Sequence, residues 1–238
     1  MKINHRVTVI LERIQMSAEA ELSRDAKMAL VWRLIQETDK NIHKNEEKFY
    51  TWHFDTQNEQ KYTLLFSCLD NDILEKFVNR ANELKGQGLS VGTDIWKIVE
   101  VIPIEDYPFL SASLRLQSLN GACIRHLVRG FHSIKGEDTL LTRDIYVKYD
   151  SALAVEILKH HLVKRANKIY GTEYTKDDVG IRYLELLPGS ERVTYKDRRM
   201  ASQLVTFRIK APKEIMETAL YGGIGSLTGS GFGSVVIA

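Results

Sequence analysis

The feature that most narrows the possible folds is a switch of hydrophobic period, from two to 3.6 and back, that occurs twice in the same order. In residues 3–11, Ile3, Val7, Val9 and Leu11 alternate with Asn4, Arg6 and Thr8, the period of a half-buried strand. From Ser23 to Asp39 the spacing of Val31, Leu34 and Ile35 predicts a helix. Residues 48–54 and 61–69, rich in Tyr, Phe, Thr and Trp, read as two strands around a polar turn at Asp55–Gln60. Asp70, Asn71 and Asp72 then offer capping oxygens to a helix with an apolar stripe of Ile73, Leu74, Phe77, Val78, Ala81 and Leu84, stopped by Gly86. A strand over Asp94–Ile104 follows, bounded by Pro103 and Pro108.

The same order returns after Asp106-Tyr107-Pro108. Residues 112–117 form a strand, and Asp150 and Ser151 cap a helix striped by Leu153, Ile157, Leu158, Leu162, Ala166 and Ile169. Strands near 181–187 and 203–210 come next. A short helix follows with Pro212 at its first position and its end near Leu220, then a last strand over 234–237. Strand–helix–strand–strand–helix–strand is the ferredoxin-like order. The expected class is therefore α+β, with two tandem ferredoxin-like domains over 1–105 and 111–238, the second elaborated. Residues 118–149 carry no pattern that assigns them.

Composition excludes other classes. With 44% hydrophobic and 27% charged residues in 238, the chain is neither disordered nor fibrous. Its net charge of +2 gives no global sign of nucleic-acid binding. Split near the linker, however, 14 basic residues face 18 acidic ones in 1–110, leaving 19 against 13 in 111–238. Two cysteines, Cys68 and Cys123, are too few for a disulfide scaffold and read as reduced thiols. Lys2, Arg6, Glu12 and Arg13 break any signal-peptide core, and no apolar run reaches the roughly 18 residues that span a bilayer. The expectation is a soluble, cytoplasmic protein with no membrane partner.

Six of the fifteen glycines fall within residues 222–233. Gly223-Ile224-Gly225 is followed, after five intervening residues, by Gly231-Phe232-Gly233. Paired glycines around one apolar residue let the backbone pack closely while the side chain anchors it, and bent runs of amides suit phosphate. A dinucleotide fingerprint fails because Thr228 stands at its third glycine and the run leads into a strand. A P-loop fails for want of a lysine.

This motif before a last strand, the preceding Val205-Thr206-Phe207-Arg208-Ile209-Lys210-Ala211-Pro212, and Ile42-His43 between the first long helix and an aromatic strand together resemble the CRISPR repeat-cleaving endoribonucleases of the repeat-associated RNA-binding superfamily. The resemblance implies an enzyme that binds precursor CRISPR RNA and cuts each repeat without a metal. The 2′-hydroxyl would attack the phosphorus, leaving 5′-hydroxyl and 2′,3′-cyclic phosphate ends. Such chemistry needs a base, a cation for the crowded phosphorane and an acid for the leaving oxygen. The resemblance points to His43 at the family's histidine junction. Lys44, Lys48 and Tyr50 are offered on position and chemistry, and in a strand Lys48 and Tyr50 would share a side. His126 and His132 have no cysteine or carboxylate at ligand spacing, so neither a metal nor a cofactor is expected.

Three basic groups in the second half are candidates for the RNA. His160, Lys164 and Lys168 share a helix face, flanked by Lys159 and Arg165. Arg192, Lys196, Arg198 and Arg199 crowd a hairpin beside Tyr195, suited to gripping a stem. Arg125 and Arg129 flank His126. The loop glycines Gly223, Gly225, Gly231 and Gly233 complete the expected RNA surface. CRISPR repeat RNA is the expected partner; a homodimer and attachment to other subunits of an effector complex stay open. So do two alternatives, a non-catalytic RNA-binding member of the superfamily and a tandem ferredoxin-like scaffold that binds no RNA.

Overall fold

The computed structural model describes the chain apart from residues 1–3, 16–22, 37–47, 59, 92, 110, 121, 123, 135–136, 148–150, 188–190, 196–197 and 227. Alternation in the first strand, β1 (Arg6–Gln15), buries Val7, Val9, Leu11 and Arg13 on one face. The helix α1 (Arg24–Gln36) covers that face with Leu30, Val31, Leu34 and Ile35. The hairpin strands β2 (Tyr50–Asn58) and β3 (Lys61–Cys68) follow, with β2 running further through its polar end than the sequence suggests. On α2 (Asn71–Glu83), Asp70 caps the amides of Asp72 and Ile73 while Leu74, Phe77 and Ala81 are buried. Gly86 takes φ +82°, as its place after a helix requires.

The strand β4 (Gly88–Val91), absent from the sequence reading, folds back on β5 (Asp94–Ile104). The first sheet has the order β2-β3-β1-β5-β4, a ferredoxin-like core extended at one edge. The second half repeats the core without that extension. It comprises β6 (Ser113–Ser118), α3 (Ala152–Tyr170), β9 (Gly180–Leu186), β12 (Val205–Lys210), α4 (Lys213–Gly222) and β13 (Val235–Ile237). Their sheet order is β13-β6-β12-β9. Two hairpins are inserted into this frame. One is β7 (Ile124–Ile134) with β8 (Glu137–Val147), which accounts for most of the unassigned stretch 118–149. The other is β10 (Glu191–Tyr195) with β11 (Arg198–Ser202).

Two details differ from expectation. Pro212 stands at the N-cap of α4, one place before its first turn. Leu153, expected in the α3 stripe, is exposed, and the buried face of that helix runs through Ala154, Leu158, Leu162, Val163, Arg165 and Ala166. Ser151 caps α3 as expected, while Asp150 lies outside the described residues. Among the described residues no helix is long and apolar enough to cross a membrane.

The two hydrophobic cores exchange residues. Phe232, from the glycine-rich segment, belongs to the core of the first sheet, and Leu69, at the end of β3, belongs to that of the second. The linker tightens the same junction. His5 binds Asp106 at 2.9 Å and stacks on Tyr221 at 4.8 Å between ring centres, and the Tyr221 hydroxyl accepts from the Tyr107 amide at 2.8 Å. Arg6, on β1, donates to the carbonyls of Leu220 and Val235 across the junction.

Candidate functional site

The glycine-rich segment leaves α4 at Gly223, makes a single 3-10 turn at Thr228–Ser230 and enters β13. Gly223, Gly225, Gly231 and Gly233 all have φ between 71° and 80°, a region L side chains rarely adopt. The two Gly-x-Gly pieces bind each other, the Ile224 amide donating to Gly233 O at 2.8 Å. A Cβ on Gly233 would run into that Ile224 carbonyl, so close approach as well as φ demands glycine. The intervening side chains anchor opposite ways, Ile224 into the second core and Phe232 into the first.

The segment lies against β2, an edge strand of the first sheet. Trp52 Nε1 donates to Gly229 O at 3.2 Å, and a Cβ on Gly231 would enter the Trp52 ring. Asn120 bridges both sides, donating to Trp52 O and Gly231 O at 2.9 and 2.8 Å while accepting from the Ser234 amide at 2.7 Å. Arg24, at the start of α1, donates to Gly231 O and lies 4.0 Å over the Phe232 ring. The loop thus spends several of its carbonyls and amides inside the protein, and most of it is buried. Beside it a cleft of about 460 Å³ is lined by Arg24, Lys27, His53, Phe54 and Asn120 among others. Burial holds the His53 imidazole below its ordinary pKa.

Lys48, just before β2, and Tyr50, its first residue, both meet this loop. A Cβ on Gly229 would lie 2.8 Å from Lys48 Cγ and 3.1 Å from the Tyr50 hydroxyl, so the absence of a side chain there makes room for both. Tyr50 is 1% exposed and stacks near Phe66. Lys48 is half-buried, and that burial lowers its pKa. His43 and Lys44 lie outside the described residues, in the segment 37–47 that leads into Lys48.

Of the basic groups, His160, Lys164 and Lys168 are exposed along one face of α3, with Lys168 Nζ 5.5 Å over the Phe49 ring. Lys159 pairs with Glu156 at 3.5 Å. Arg192, Arg198 and Arg199 fall in the β10–β11 hairpin, opposite Ala201, Tyr195 and Thr194 respectively, and Lys196 lies outside the described residues. Arg125, His126, Arg129 and His132 fall on β7. Among the described residues no three His, Cys, Asp or Glu gather as a metal site would require.

Arg165 is the residue that sequence reasoning misplaced. It was expected to flank the basic stripe, yet it is 7% exposed and turned inward. Its guanidinium donates to Lys48 O at 2.8 Å, Gly222 O at 2.5 Å and Gly223 O at 3.0 Å. The signal was present in the helical period, because position 165 follows Leu158 by seven and Leu162 by three.

Two linked ferredoxin-like units, the second clasped to the first by a glycine-rich loop on an edge strand, make this a tandem ferredoxin-like fold. The Pyrococcus furiosus product of a Cas6-related gene shares this fold over 98% of both chains, with a TM-score of 0.78 at 16% identity. A RAMP protein described as binding different RNA substrates aligns over 98% of this chain and 99% of its own, with a TM-score of 0.75 at 17% identity. Thermus thermophilus Cas6 aligns over 98% and 97%, with a TM-score of 0.57 at 14% identity. Residues 134–237 match the family model for the C-terminal part of CRISPR-associated protein Cas6. No curated protein matches the sequence.

Proposed function

We propose that this chain is a metal-independent endoribonuclease that binds CRISPR repeat RNA and cleaves it once per repeat. The observation that carries the reading is the seat of Lys48, five residues after His43 in sequence, on the glycine-rich loop of a chain whose residues 134–237 match the Cas6 C-terminal family model. His43 takes the 2′-hydroxyl proton, the 2′-oxygen attacks phosphorus, and the bond to the 5′-oxygen breaks with that oxygen gaining a proton. A cation at Lys48, helped by Lys44, offsets the negative charge that builds on the phosphorane. Tyr50 orients the Lys48 side of the site. The products are a 5′-hydroxyl and a 2′,3′-cyclic phosphate.

The RNA lies over the basic second half, along His160, Lys164 and Lys168 and against the hairpin bearing Arg192, Lys196, Arg198 and Arg199, with Gly223, Gly225, Gly231 and Gly233 shaping the loop between them. Relatives of this fold include a RAMP protein described as binding RNA and a Cas6 solved with its product, which supports RNA as the ligand. The proposed organisation is a 1–105 half for the chemistry and a 111–238 half for the RNA, acting in the cytoplasm with or without effector subunits.

A cleavage assay in EDTA with the cognate repeat tests the reading. The parent should cut, and His43→Ala should be slower by about 100-fold or more. Equal rates would remove His43 from the mechanism, and tight binding with no cleavage by the parent would make the chain a non-catalytic repeat-binding member.

A further inference from the structure

Arg165 is a charged side chain placed where two carbonyl-rich backbones meet. One is the segment just before β2, represented by Lys48 O. The other is the turn out of α4, represented by Gly222 O and Gly223 O. A guanidinium is suited to this task because its donors form a rigid planar fork that can serve several acceptors at fixed angles. A lysine in the same place has one mobile nitrogen. Burying a cation is costly, and the cost is met here by well-aligned carbonyl dipoles.

Gly222 gives a second, independent sign that the contact is built. A Cβ there would stand 2.5 Å from Arg165 Nη2 and 2.9 Å from Leu69 Cδ1, so the helix ends in a glycine that lets the guanidinium reach the backbone. The Lys48 carbonyl is therefore fixed relative to the loop by a residue of the other half of the chain. From that fixed backbone the Lys48 side chain extends across Gly229.

We propose that Arg165 is a positioning residue for RNA cleavage, setting the separation between Lys48 and the glycine-rich loop through three backbone carbonyls. This rests on the assignment of Lys48 to the reaction. Misplacing a reacting group by about 1 Å can cost on the order of 100-fold in rate without a matching loss of affinity.

The test measures two quantities on the full chain in EDTA: the single-turnover rate with saturating enzyme, and the Kd for repeat RNA carrying a 2′-deoxy nucleotide at the cut site. Arg165→Gln should lower the rate roughly 10- to 100-fold with Kd changed less than about threefold, and Arg165→Lys should recover part of the rate. Gly222→Ala should reproduce the effect from the other side of the contact, and the double variant should be no slower than the worse single one. If Arg165→Gln does not fold, Gly222→Ala and Arg165→Lys carry the test on the same criteria. A parental rate in these variants while Lys48→Ala is slow overturns the role of Arg165 alone, as does a loss confined to Kd. A parental rate in Lys48→Ala overturns the assignment of Lys48 and the positioning role with it.

Discussion

At the scale of the residue, the glycine-rich segment separates two reasons for keeping glycine. Gly171, at the end of α3, has φ +67° but open space where a Cβ would go. Gly233 has φ +71° and a carbonyl in that space. Gly171→Ala should therefore cost about 1–2 kcal/mol, the price of a left-handed alanine. Gly233→Ala should cost upwards of roughly 3 kcal/mol, because the pairing of the two Gly-x-Gly pieces must also break. Urea unfolding of both variants measures the difference, and equal losses would show that φ alone matters. The motif and its apolar anchors were legible in the sequence, since Ile224 and Phe232 stand between glycines. That the anchors enter different cores was not, because spacing along a chain carries no information on which surface a loop meets. Arg165 shows the complementary failure: its helical position pointed inward while its charge pointed outward, and the carbonyls that decide the matter come from distant segments.

At the scale of the element, the strongly periodic segments were the legible ones. β1, α2, β5 and α3 fall within a few residues of their expected places because each buries one face. β4 escaped because it is four residues long, begins at Gly88 and is flanked in sequence by glycines at 86 and 92. The β7–β8 hairpin escaped because Leu127-Val128 and Gly130 break alternation, and among the described residues these strands pair only with each other. β1 also carries a polar member inside its buried face. Arg13 meets Asp94 at 2.6 Å, with side chains 1% and 3% exposed, and its guanidinium lies 5.7 Å over the Trp96 ring. Asp94→Asn should lower the unfolding free energy by about 3–5 kcal/mol, since it leaves a buried cation without its countercharge. Replacing both partners, by Arg13→Met with Asp94→Leu, should cost much less. Denaturant titration of the two variants is the check; a double variant as unstable as the single would mean that the pair supplies net stabilisation.

At the scale of the whole molecule, the exchange of Phe232 and Leu69 between cores joins two sheets that a topology diagram would draw apart. All three tryptophans, Trp32, Trp52 and Trp96, lie in the first half, so their fluorescence reports that half, whereas α3 dominates the helical signal of the second. The two signals should give coincident thermal transitions. Phe232→Ala should lower both together by about 3–5 kcal/mol, although the residue is carried by the second half. Separate midpoints, or a shift of the fluorescence transition alone, would show that the halves unfold independently.

The same exchange has a consequence in time. The first sheet completes its last strand at Ile104, but the ring that fills its core emerges from the ribosome about 130 residues later. At roughly 5–20 residues per second, the nascent first half waits on the order of ten seconds with the Phe232 site unfilled. During synthesis the first half is a partner awaiting its plug until the glycine-rich loop arrives.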